Sequence, residues 1–60
     1  METLKEYVEK VRAHLLTDLT ADEARTGDPI IGQFMKGRVV IENHYLKTLD
    51  QILDMLKKEE

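Results

Sequence analysis

Sixty residues with neither cysteine nor tryptophan allow one small domain at most, near the lower size limit for independent folding. Apolar residues at 42% suffice for a core, while the lack of cysteine excludes a disulfide framework, a thiolate zinc site and a thiol nucleophile. Twelve Asp and Glu against nine Lys and Arg give a net charge of −3, which disfavours duplex nucleic acid, since phosphate neutralisation calls for clustered cations.

No apolar run approaches the ~18–20 residues that span a bilayer, so no membrane partner is expected. The start Met1-Glu2-Thr3-Leu4-Lys5-Glu6 has neither the basic opening nor the apolar stretch of a signal peptide. The chain reads as a cytoplasmic protein.

The first element is an amphipathic helix. Leu4, Val8, Val11, Leu15 and Leu19 recur at spacings of four, three, four and four, and Tyr7 and Leu16 widen the stripe. Lys5, Glu6, Glu9, Lys10, Arg12 and Asp18 fall between them as a solvated face. The pattern predicts a helix over about residues 2–18.

A break follows. Thr20-Ala21-Asp22-Glu23 matches a capping box, which would start a short helical turn within a connector over about residues 20–28. Gly27 can take a positive φ, and Asp28-Pro29 is a second pairing of N-cap and first-turn residue. A helix is expected from about 29 to 58, either one long helix or one bent or broken near Gly37, because Gly32 and Gly37 each cost ~1 kcal/mol inside a helix. Val39-Val40-Ile41 is β-branched, but a lone strand would have no partner. Ile41, Tyr45, Leu49, Ile52 and Leu56 form one row, with Leu46, Leu49, Leu53 and Leu56 beside it.

The fold class expected is therefore all-α, a single domain over 1–60. Two long amphipathic helices form an antiparallel hairpin, joined by a short helical or irregular connector. A hairpin covers each stripe on one side only, and below ~70–80 residues one core rarely supplies more than ~3–5 kcal/mol. Homo-oligomerisation into a helical bundle, most simply a dimer, is the expected remedy. Tyr45, Leu46, Leu49, Ile52, Leu53 and Leu56 are its expected interface.

Motifs for chemistry are sparse. Gly32 to Val39 has the glycine spacing of a phosphate loop, but Arg38 and Val39 stand where Lys and a hydroxyl residue are needed. His14, Glu42 and His44 lack any metal-ligand spacing, so neither a metal nor a cofactor is expected. Nothing forms a nucleophile–base pair or a paired-carboxylate cleft, and the chain is not read as an enzyme.

Two resemblances bear on this reading. Arg38 and His44, six apart, are similar to the R-x(4–6)-H signature of the HEPN ribonucleases, which are helical and dimeric. Thr20-Ala21-Asp22-Glu23-Ala24 and Glu42-Asn43-His44-Tyr45-Leu46 resemble segments of the short helix–loop–helix adaptors that promote phycobilisome degradation. The chain departs from those adaptors at Gly27-Asp28-Pro29. What that resemblance implies is an architecture suited to a dimeric adaptor.

Candidate binding residues are Phe34, Met35, Lys36, Arg38 and His44, an aromatic and a thioether beside cations that can engage carboxylate or phosphate. The expected function is a small regulator, adaptor or inhibitor. It would bind itself and another macromolecule, with a second protein as the expected partner. The alternative is an oligomer holding a small anionic ligand, such as a nucleotide, in clefts between subunits through Arg38, Lys36 and His44.

Overall fold

A computed structural model of the chain describes residues 1–58. It consists of two helices, α1 (Leu4–Glu23) and α2 (Gly32–Lys58), packed against each other as a hairpin. Among the described residues there is no strand.

α1 opens on a capping box one full helix earlier than the expected one. The Thr3 hydroxyl accepts from the Glu6 backbone N–H at 3.1 Å, and the Thr3 N–H donates to the Glu6 carboxylate at 3.4 Å. The same T-x-x-E spelling at Thr20–Glu23 caps nothing. There the Thr20 hydroxyl donates back to the Leu16 carbonyl at 2.9 Å, and the helix runs on to Glu23 rather than stopping near residue 18. Continuation brings Leu19 and Asp22 onto the buried face, which outweighs the local preference of Thr20 for a cap.

The connector is a run of tight turns. Arg25, Thr26 and Asp28 donate backbone N–H bonds to the residues three before them, and the Thr26 hydroxyl accompanies them by donating to the Glu23 carbonyl. Asp28 then starts the second helix. Its Oδ1 accepts from the N–H groups of Ile30 and Ile31 at 2.7 and 3.0 Å, with Pro29 between in the position that needs no donor. Gly27 has no positive φ, so the freedom that glycine offers there goes unused. Gly32 is the glycine that the geometry requires, because a Cβ there would lie 2.7 Å from the Thr26 carbonyl oxygen.

α2 passes through Gly37 as one helix of 27 residues. Of the two alternatives left by the sequence, the unbroken helix is the one that forms, since the residues on either side of Gly37 gain burial by staying in register. Met35, Val39, Glu42, Leu46, Leu49, Leu53 and Leu56, spaced alternately four and three, are all buried or partly buried and form the stripe toward α1. On α1 Val8, Val11, Leu15, Leu19 and Asp22 answer them.

Two ion pairs pin the antiparallel register. Arg12 Nε meets Asp50 Oδ1 at 2.6 Å near the open end, and Arg38 Nε meets Asp22 Oδ2 at 3.0 Å near the connector. The result is a single layer, with Cα extents of 47 × 20 × 11 Å. Its radius of gyration is 14.1 Å, against about 10 Å for a compact chain of this length.

Candidate functional site

The first feature is polar and sits where the helices meet near the connector. Asp22 and Glu42 occupy inward positions and are only 6% and 8% exposed. Arg38 lies one turn before Glu42 on α2, yet its guanidinium reaches across to Asp22 instead of pairing along its own helix. The Asp22 carboxylate is shielded from water, which strengthens this pair relative to one on the surface.

Glu42 is left under-served. Its Oε1 is buried without a hydrogen-bond partner. Burial and then the neighbouring carboxylates of Asp22 and Asp18 push its carboxyl above the usual range, against the opposing pull of Arg38. Asp28 goes the other way. The backbone N–H groups of Ile31 and Ile30 hold its carboxylate below the usual range.

The second feature is apolar and lies on the outer side of α2. Phe34, Arg38, Ile41, Tyr45, Thr48, Ile52 and Met55 each stand one residue before a member of the inner stripe, about 100° round the helix. The two stripes therefore share one alternation of four and three. Phe34, Ile41, Tyr45 and Met55 are 56–64% exposed. A shallow cleft lined by Arg38, Ile41, Glu42 and Tyr45 joins this stripe to the carboxylate cluster.

The structure divides the residues singled out from sequence. Of the candidate binding set, Met35 is buried in the seam between the helices, and Phe34 and Lys36 are exposed. Arg38 is engaged by Asp22, while exposed His44 packs edge-to-face on Tyr45 with ring centroids 6.3 Å apart. Of the expected interface set, Leu46, Leu49, Leu53 and Leu56 join the stripe facing α1, and Tyr45 and Ile52 belong to the outer one.

Sequence reading missed Asp22 and Glu42 as a buried pair. The signal was present, because the alternation that selects Leu19 and Leu46 as inward positions also selects both carboxylates. Among the described residues, no three His, Asp or Glu side chains are grouped to hold a metal ion. No helix of the described chain is long and apolar enough to cross a membrane.

No family model, no curated protein and no solved structure matches the chain.

Proposed function

We propose that this chain is a small non-enzymatic interaction protein that works as a homo-oligomer and acts by binding another macromolecule. The observation that carries the reading is the incompleteness of the hairpin. No large side chain is fully buried, and Val8, Leu19 and Met35 are the only buried hydrophobic residues among those described. A stable core needs two packed layers, and this chain builds one.

The surface area supports the same conclusion. The chain exposes 4832 Å², whereas a compact monomer of 7.0 kDa exposes about 4,000 Å². The excess of about 800 Å² equals what one partner contributes to a standard protein–protein interface.

The surroundings of Arg38 favour a protein partner over a small anion. Its guanidinium is held by Asp22, and Glu42 and Asp18 add negative potential beside it. A phosphate approaching that point would meet carboxylates first.

Light scattering over a concentration series tests the proposal. A mass of at least twice 7.0 kDa at micromolar concentration is expected. A folded monomer whose mass is independent of concentration would overturn it.

A further inference from the structure

Resting on the proposed self-association, we infer that the outer stripe of α2 is the seam between two copies, which pair α2 against α2 antiparallel with Tyr45 at the two-fold axis. Three surfaces compete for this role. The groove at the open end is lined by Glu9, Arg12, Asp50, Asp54 and Lys57 around Leu53, and is too highly charged for a packed seam. On α1 the exposed Leu4, Tyr7 and Leu16 do not sustain a repeat of three and four. The outer stripe does so over six turns, from Phe34 to Met55, which is what a facing helix requires.

Its occupant follows from the order of residues along it. The stripe has a bulky residue at each end and Tyr45 at its midpoint. Laid antiparallel on a second copy about that midpoint, Phe34 meets Met55, Arg38 meets Ile52, and Ile41 meets Thr48. Thioether against aromatic ring is a favourable contact, and the aliphatic stem of Arg38 covers Ile52 while its head stays with Asp22.

A parallel arrangement would place Arg38 against Arg38, where like charges repel. Antiparallel packing avoids this and opposes the helix dipoles. It also brings Lys57 and Lys58, in the last turn of α2, toward the other copy's exposed Glu23, at the end of α1, and Asp28, in the connector. Charge complementarity and the surplus area thus point to the same partner, a second copy of this chain.

The cysteine-free sequence makes the test clean. Tyr45→Cys, Ile41→Cys, Ile52→Cys and Tyr7→Cys are each oxidised mildly and sized under denaturing conditions, with native mass measured in parallel. Tyr45→Cys is expected to link to its own copy. Ile41→Cys is not, because its two copies lie about 12 Å apart along the axis, beyond the ~7 Å limit for a disulfide. Ile41→Cys mixed with Thr48→Cys, both retaining Tyr45, is expected to link as a heterodimer. Equal self-linking at 41, 45 and 52 would overturn the antiparallel order, and linking through Tyr7→Cys alone would overturn the choice of face. Either result with a native mass of twice 7.0 kDa sinks the inference and spares the oligomer. A folded native monomer sinks both.

Discussion

The two stripes of α2 are alike in spacing and apolar content, yet one is covered by α1 and the other is open. The inner stripe runs Met35, Val39, Glu42, Leu46, Leu49, Leu53 and Leu56; the outer runs Phe34, Arg38, Ile41, Tyr45, Thr48, Ile52 and Met55. Each is interrupted by an ionisable residue near the connector. What separates them is the shape of the neighbours. The inner stripe is leucine-rich and fits between helices, while the outer carries both of the helix's aromatic apolar residues. Aromatic residues, methionine and arginine are enriched at interfaces between chains, and the outer stripe carries all three.

Introducing a carboxylate into each stripe gives the largest expected effects and breaks the comparison most directly. Leu49→Asp places a charge in the seam with α1 and should cost at least ~2–3 kcal/mol, enough to abolish helical circular dichroism at every concentration. Tyr45→Asp should lower the native mass first, with unfolding that depends on protein concentration. If both variants unfold alike and without concentration dependence, the stripes are not different in kind.

Much of this was legible in the sequence, for physical reasons that can be named. The alternation of three and four along α2 depends on helix geometry, so it reads directly from residue order, as does the Asp28 cap; the helix itself begins at Gly32 instead of near 29, after a turn over 29–31. The end of α1 was not legible. Thr20–Glu23 and Thr3–Glu6 are the same local motif, and only the burial of Leu19 and Asp22 against α2 decides which one caps. The partner of Arg38 was hidden for a similar reason. Glu42 is its neighbour four residues on, but Asp22 lies sixteen residues back and becomes available only once the hairpin closes. The interface set failed to separate because Tyr45 and Leu46 differ by one position and each lies within a valid stripe.

The glycines sharpen the comparison between the connector and the middle of α2. Gly32→Ala sets a methyl carbon 2.7 Å from the Thr26 carbonyl oxygen, and both are backbone-fixed, so a loss of ~1–3 kcal/mol is expected in urea denaturation. Gly37 has open space around its Cβ position and sits inside a helix. Gly37→Ala should therefore stabilise the isolated hairpin by ~0.5–1 kcal/mol. A gain at Gly32 or a loss in the monomeric state at Gly37 would contradict the geometry of the connector or of the continuous helix.

The smallest expected effect concerns the ionisable member of the inner stripe. Glu42 has its carboxyl raised above an ordinary value of 4.5, chiefly by burial and then by the neighbouring Asp22 carboxylate. The folded state therefore binds this proton more tightly than the unfolded chain. Its contribution is fully present below the unfolded value and is lost as pH rises through the folded one. Asp28 has the opposite sign, because its lowered value stabilises the fold above about 3.8 and that stability is lost on acidification. Glu42→Gln keeps the size and shape of the side chain and cannot ionise. Against wild type, it should be more stable near neutral pH, with the difference closing as the pH falls below about 4.5. Asp28→Asn should show the converse, with a deficit near neutral pH that narrows in acid. Urea melts of the three proteins at matched concentration would measure these slopes. Parallel profiles for wild type and Glu42→Gln would mean that the inner stripe holds its carboxylate as comfortably as solvent does, and the orphaned Oε1 would then carry no strain.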